Sequence, residues 1–296
     1  MSAPLLMVCS AFLFATMGVC VKLASAYYAA GEIVFYRGLI GALFIAGITR
    51  VRGGTLRTPV PAMHFWRSVV GVLSLGLWFY ALGHLPLATA MTLNYMSSVW
   101  MAMFLIGGAV LMGGRDSIDG RLVSTILLGF LGVALVLRPT MESNQLWYGV
   151  AGLLSGMLAA MAYLQVTALG RIGEPEYRVV FYFSLGGMGA GALSMLATGA
   201  QGHTWGSGAL LVATGVLATT AQMMMTRAYA IGHALSNASL QYLGIAFAFG
   251  YGVLLFDDAV TWMALAGMLL IVGAGLGATL LRARQAPAVT TSSVEP

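Results

Sequence analysis

Long apolar stretches recur along this chain, separated only by short polar punctuation. A bilayer-spanning helix needs about 20 mainly apolar residues. Ten stretches meet that need: roughly 4–25, 31–49, 62–83, 87–112, 120–138, 147–169, 177–199, 205–231, 235–256 and 260–282. Between them stand breakers and charges: Gly53-Gly54 with Pro59 and Pro61, Gly113-Gly114, Arg138-Pro139, Glu174-Pro175-Glu176 and Asp257-Asp258. From Gln285 to Pro296 the chain turns polar and rich in small residues, which predicts a disordered tail.

The pattern is duplicated. Tyr80-Ala81-Leu82-Gly83-His84 returns as Tyr229-Ala230-Ile231-Gly232-His233, each copy closing one apolar stretch and opening the next. Leu93-Asn94-Tyr95 and Leu240-Gln241-Tyr242 follow them. Val34-Phe35-Tyr36 matches Val180-Phe181-Tyr182, Ser10 to Ser25 aligns with Ser155 to Gly170, and Gly129 to Arg138 resembles the run ending at Arg282. Matches in the same order, half a chain apart, indicate a duplication. Five spans per half is an odd number, so the second half must run with opposite topology. The expected fold is therefore an all-α integral membrane protein with ten transmembrane helices in two inverted five-helix repeats, residues 1–140 and 141–284, followed by a tail at 285–296. Inverted repeats are the signature of alternating-access carriers, with the substrate near the midplane between the halves.

Composition narrows the class. The chain is 59% hydrophobic and only 8% charged, against about 25% charged in soluble domains. The formal charge of +5 does not point to nucleic acid, because its distribution follows the membrane. Under the ten-span topology Arg50, Arg52, Arg57, Arg67, Arg115, Arg121, Arg171, Arg178, Arg282 and Arg284 fall on the side of the termini. Arg138 falls on the other side, and Lys22, Arg37 and Arg227 lie within spans. This bias predicts cytoplasmic termini in a bacterial inner (plasma) membrane. Cys9 and Cys20 sit in the first apolar stretch and imply neither a disulfide framework nor a metal site. The first stretch lacks a basic leader and a cleavage site, and reads as a first span.

These motifs resemble the drug/metabolite transporter superfamily, in its ten-span EamA-type branch. The residues carrying the resemblance are Phe35-Tyr36-Arg37, the run from Tyr80 through His84 to Ala90, Thr226-Arg227-Ala228-Tyr229 leading to Gln241-Tyr242-Leu243, and the Gly-rich last span ending in Leu281-Arg282. Two departures matter. Ser97-Ser98 stands where relatives often carry a proline in span 4, which puts the usual helix break there in doubt, and Asp257-Asp258 stands where Gly-Glu is common. The resemblance implies a small-metabolite transporter, commonly an exporter, with a cavity lined by spans 1, 3, 4, 6, 8 and 9.

Polar groups inside spans are costly and mark candidate function. Glu32 is placed to pair with Lys22 or Arg37, as structure or as a gate. Gln222, Thr226 and Tyr229 share a helix face. No acidic residue stands at the depth of Arg227 in the sequence, which suggests a carboxylate site, against snorkelling to the interface. Trp78, Asn94, Tyr95, Ser98, Tyr163, Gln165, Asn237, Gln241 and Tyr242 complete the candidate substrate site, each weighed against a role in holding helices together. His84 and His233, with Gly83 and Gly232 beside them, mark candidate gate junctions, the glycines supplying a permissive backbone. Trp147, Trp205 and Trp262 read as an interfacial belt. The acidic residues all lie at span ends, in connections or in the tail. No cofactor, metal or catalytic cluster is expected, and the partners are a small-molecule substrate, the bilayer and, in one option, a second copy. The leading reading is a secondary exporter of a small polar or zwitterionic metabolite, such as an amino acid derivative or an amino-acid-derived metallophore. The alternatives are a membrane-embedded lipid-modifying enzyme, or an importer of a vitamin- or nucleobase-like ring compound on the same fold.

Overall fold

Apolar runs long enough to cross a bilayer must satisfy their own backbone groups, and helices do so within one segment. A computed structural model describes residues 1–85, 87–101, 104, 120–137, 146–256 and 262–285. The described helices are α1 (Ala3–Ala24), α2 (Ala30–Val51), α3 (Pro61–His84), α4 (Leu87–Tyr95), α5 (Gly120–Leu137), α6 (Leu146–Arg171), α7 (Glu176–Thr198), α8 (Trp205–Ile231), α9 (Ala234–Gln241), α10 (Leu243–Phe256) and α11 (Trp262–Gln285). Among the described residues seven stretches are long and apolar enough to cross a membrane: α1, α2, α3, α6, α7, α8 and the joined run Ser236–Phe256. The expectations for Pro86, Gly113-Gly114, Arg115, Arg138-Pro139, Asp257-Asp258 and the tail beyond Gln285 lie outside the described residues.

Starts and stops follow local chemistry. Prolines open α1 and α3, where a missing N–H costs nothing. Thr204 and Ser207 cap α8 reciprocally. Gly173 (φ 79°) and Gly199 (φ 75°) turn the chain before and after α7 in the left-handed region that glycine tolerates.

The helices pack in pairs: α2 on α7, α1 on α8, α3 on α6, α5 on α11, and α4 on α10. Under the sequence matches between the halves, α2–α7 and α5–α11 each map onto themselves and α1–α8 maps onto α3–α6. Buried hydroxyls tie two of these pairs. Ser10 of α1 donates to the Ala221 carbonyl of α8, and Ser74 of α3 donates to the Ser155 carbonyl of α6, each at 2.8 Å.

Close approach depends on small residues, as expected where lipid supplies no hydrophobic drive between helices. A Cβ at Gly191 would meet the Phe35 backbone, at 2.6 Å from Cα. One at Gly38 would meet Ser184 O at 2.6 Å, and one at Gly132 would meet Gly267 O at 2.6 Å. Large apolar side chains such as Leu43, Leu193, Leu196 and Leu280 face outward. Trp147, Trp205 and Trp262 are exposed at the starts of α6, α8 and α11.

The doubt over span 4 resolves toward a break. The helix is interrupted after Tyr95 without a proline, and its counterpart is interrupted at Tyr242, between α9 and α10. Tyr242 N–H donates to Ser239 O and Ile245 N–H to Tyr242 O, which is local 3₁₀ tightening. At the first break the α4 backbone presses onto α6, where a Cβ on Gly156 would meet Leu93 O at 2.5 Å and Asn94 O at 3.0 Å. Ser98 beyond the break donates to the Ala238 carbonyl of α9 at 2.7 Å. Helix contacts, rather than a missing N–H, hold the interruption.

Each end of the bundle carries its own polar fastening. At the end bearing Arg50, His64 Nε2 lies 3.0 Å from Glu174 Oε1, and Arg178 Nη1 lies 3.5 Å from Glu174 Oε2. Tyr182 and Arg178 donate to the Leu56 and Thr55 carbonyls. At the opposite end His203 bridges Tyr36 Oη (2.6 Å) and Tyr28 Oη (3.0 Å), and Tyr28 donates to Ser207. Both fastenings join the first half of the chain to the second.

Two expectations follow. Gly191→Ala should lower the apparent melting temperature in detergent, with an overpacking cost of about 1–3 kcal/mol. Gly189→Ala, on the same helix with open space around it, should leave it unchanged or raise it, alanine being favoured by about 1 kcal/mol in a helix. Equal destabilisation by both would refute close packing as the cause. For Glu174, burial raises the carboxyl pKa, but hydrogen bonds with Thr58 and His64 and the Arg178 charge outweigh it, so the net shift is downward. A depressed folded-state value stabilises above the unfolded carboxylate pKa of about 4.3 and is lost as pH falls through the lower folded value. Glu174→Gln should therefore destabilise at pH 7 by about 1–3 kcal/mol, and the gap to wild type should close in acid. A gap that persists below the carboxylate range would assign the loss to packing instead.

Candidate functional site

Where the helix pairs meet, they enclose a cavity of about 50 Å³. Phe14 of α1, Arg37 of α2, Arg67, Ser74 and Trp78 of α3, Asn94 and Tyr95 of α4, Tyr163 of α6, Phe183 of α7 and Gln222 of α8 line it. It is roomy enough for ordered water and smaller than a metabolite. A wider vestibule of about 540 Å³ opens at the end opposite Arg50, lined by Tyr27, Tyr28, Tyr80, His84, Ser194 and Gln201 among others.

The charge in the cavity comes from two arginines, 4% and 2% exposed. Arg37 Cζ lies 5.0 Å from the centroid of the Phe183 ring, and Arg67 Cζ lies 4.1 Å from the same centroid. Among the described residues the only hydrogen bond of either guanidinium is a long one, Arg37 Nη2 to Gln222 Oε1 at 3.5 Å. Arg37 Nε, Arg67 Nε and Arg67 Nη1 have no hydrogen-bond partner, nor do Trp78 Nε1 and Gln222 Nε2. Among the described residues no carboxylate lies within ion-pair distance of either arginine. Placing a charge at a helix centre costs about 2.5–3.5 kcal/mol on insertion scales. A cation–π contact returns about 0.5–2 kcal/mol. Aromatic contact alone does not balance two such charges, so the cavity favours water or an anion at these donors.

Local sequence explains the placement. Arg37 follows Phe35-Tyr36, and Phe183 follows the matching Phe181-Tyr182, so the two are counterparts in the repeat, stacked where α2 crosses α7. Arg67 lies within the first two turns of α3. Its guanidinium folds along the helix over Gly71, where an added Cβ would collide with Nη1 and sit 3.0 Å from Phe183 Cε2. Glycine therefore leaves the notch that the guanidinium occupies.

Several expectations need correction. Arg227 is not an unpartnered buried cation. Its side chain is 54% exposed, and Nη1 lies 2.9 Å from Glu176 Oε1. The α6–α7 turn brings that carboxylate to it from 51 residues away, which spacing along the chain cannot show. Arg67 does not lie at the membrane face with the other arginines of the terminus side: it points into the bundle, because a long side chain nearly two turns from a helix end can reach either way. Glu32 pairs with neither Arg37 nor Lys22. It is fully buried and accepts the Gln201 backbone N–H at 3.2 Å. Lys22 donates to the Leu85 carbonyl. The cavity takes residues from α2 and α7 and none from α9 or α10, unlike the lining that the family resemblance implies. Gly83 and Gly232 lack left-handed backbone. They leave room for close approach instead: an added Cβ would sit 3.3 Å from Ser25 Oγ at Gly83 and 2.7 Å from Ala3 Cβ at Gly232. His84 Nδ1 caps its own helix on Tyr80 O at 2.8 Å, and the ring stacks on Tyr148. His233 is the N-cap residue of α9.

The other candidate residues divide into two groups. Trp78, Asn94, Tyr95, Tyr163 and Gln222 meet in the cavity. Tyr229, Gln241, Asn237, Thr226, Tyr242 and Ser98 are buried beside or beneath it. Tyr163 stacks on Tyr229, whose Oη accepts from Gln241 Nε2 at 3.0 Å. Asn237 donates to Ala228 O at 2.7 Å. The Tyr242 ring fills the space left by Gly129 of α5. Gln165 lies on α6 outside the lining, its Oε1 unpartnered. Sequence reading missed Arg67, Gly71 and Phe183. The repeat offers a signal for Phe183, as the position matching Arg37, but none for the other two.

Comparison with known proteins agrees with this architecture. Residues 1–138 match the model of the EamA-like transporter family. The chain is 35% identical to the pseudopaline exporter CntI of Pseudomonas aeruginosa over 274 residues, which cover 92% of this chain and 93% of that one. It is 27% identical to a riboflavin transporter of Brucella anthropi, over 82% and 86% of the two chains. A solved crystal structure at 20% identity superposes with a TM-score of 0.76, covering 95% of this chain and 98% of the other, and shares the fold. These matches point to a transporter and not an enzyme: the chain is a multi-pass membrane protein that belongs to the EamA-like family of the drug/metabolite transporter superfamily.

Proposed function

We propose that the protein is a secondary exporter of a small carboxylate-bearing organic metabolite, zwitterionic or anionic, across a bacterial inner membrane. The observation that carries this reading is the pair of buried guanidiniums, Arg37 and Arg67, with free donors turned to a central cavity. Guanidinium is suited to carboxylate by its planar fork of donors. The carboxylate preference that the sequence suggested for Arg227 thus moves to Arg37 and Arg67. The relative named a pseudopaline exporter supports export of a metabolite.

Transport proceeds by alternating access of two inverted five-span halves, residues 1–140 and 141–284, with both termini cytoplasmic. Three features support this mechanism. Helix pairing is unchanged by exchange of the halves. The helix breaks fall after Tyr95 and at Tyr242, matching positions of the repeat. The two polar fastenings join the halves at opposite ends, around a cavity too small for cargo. Glu32, Lys22, His84 and His233 act at the ends as gate elements, and the Tyr229–Gln241 cluster supports Tyr163 from behind.

A second reading, import of a ring compound, is favoured by the aromatic lining of Phe14, Trp78, Tyr95, Tyr163 and Phe183 and by the relatives named riboflavin transporters. One experiment separates the two. Compounds whose appearance in the medium depends on this chain are identified by comparing cells with and without it, and are then followed into inside-out vesicles. Arg37→Gln and Arg67→Gln should each slow uptake by about 10- to 100-fold, the equivalent of about 1.5–3 kcal/mol for a hydrogen bond to a charged group. Arg227→Gln should change it little. Wild-type rates in the Arg37→Gln, Arg67→Gln double variant would refute the carboxylate site, and accumulation of a neutral ring compound inside cells would favour the second reading.

A further inference from the structure

We propose that the cargo carries two carboxylates, one for each arginine, and that Gly71 positions the second receptor group. The inference rests on the carboxylate-transport reading above and narrows its substrate class. Both guanidiniums face the same Phe183 ring, so their separation is at most the sum of 4.1 and 5.0 Å. Each keeps donors without partners, Nε on Arg37 and both Nε and Nη1 on Arg67. A single carboxylate would neutralise one charge and leave the other buried in the bilayer beside no described carboxylate. Two carboxylates on one compact molecule balance both. The rest of the lining suits the body of such a molecule: Trp78 and Tyr95 give apolar faces, and Asn94 and Gln222 give neutral hydrogen-bonding groups.

Gly71 determines where the second carboxylate sits. The Arg67 guanidinium lies against its Cα, and an added methyl would displace the flexible end of that side chain. The site would keep its charge and lose its geometry. Gly71 is thus a positioning residue that acts through Arg67.

The test uses purified full-length protein in lipid nanodiscs, titrated calorimetrically with the diacids malonate through suberate and with the monomethyl ester of each. The esters keep the size of the diacids and lose one charge. For the diacid of fitting length, wild type should bind the acid about tenfold or more tightly than its ester. Arg67→Gln should abolish that preference while still binding the ester. Gly71→Ala should also lose it, with an unchanged melting temperature as evidence of folding. Equal binding of acid and ester to wild type overturns the two-carboxylate inference and leaves carboxylate transport standing. Binding of neither overturns both. An undiminished acid preference in Gly71→Ala overturns the positioning role alone.

Discussion

Positive charge held inside a low-dielectric bundle, with no described carboxylate to meet it, is the constraint on which the centre of this protein turns. Arg37 and Arg67 do not snorkel to water. They converge on one aromatic ring, and the helices around them are arranged so that this is possible. The α2–α7 crossing is tight because Gly38 and Gly191 have no side chains, and that closeness sets Phe183 against Arg37. The α3–α7 approach and the notch at Gly71 bring Arg67 to the same ring. Small residues at helix contacts therefore help to place the two arginines as well as to pack the helices.

The proposed inverted repeat accounts for one residue of each half meeting there. In a bundle whose halves exchange by a two-fold operation, a helix that pairs with its own counterpart lies beside the axis. The α2–α7 pair is such a case, so matching positions on it come face to face. One half supplies arginine and the other phenylalanine at that position. On the inverted-repeat reading the matched positions differ in chemistry, and the proposed cargo recognition rests on that difference.

Much of the helix order was legible because length and apolar runs are enforced by the bilayer. The twin phrases at Tyr80 and Tyr229 stand where α3 and α8 end, and Asn94 and Gln241 marked places next to the helix breaks. The site was only half legible. Trp78, Asn94, Tyr95, Tyr163 and Gln222 were visible as polar or aromatic residues inside spans. Arg67 was not, because its depth in sequence left its direction open, and Arg227 misled for the same reason in reverse. A charge is placed by what faces it across the bundle: Glu176 for Arg227, Phe183 for Arg67. Gly71 carries no chemical signal at all and matters only as a space.

The two ends of the bundle are fastened by different side chains but by the same kind of bond. Near Arg50 the buried Glu174 carboxylate meets His64 and Arg178. At the opposite end the buried Glu32 carboxylate accepts the Gln201 N–H, beside the phenolic and hydroxyl hydrogen bonds around His203. Hydrogen bonds to charged groups contribute about 1.5–3 kcal/mol, and neutral ones about 1 kcal/mol. On the proposed alternating-access mechanism, opening either end breaks a bond to a buried carboxylate, so neither end opens without compensation, and an anion that balances two buried charges is a ligand able to supply it.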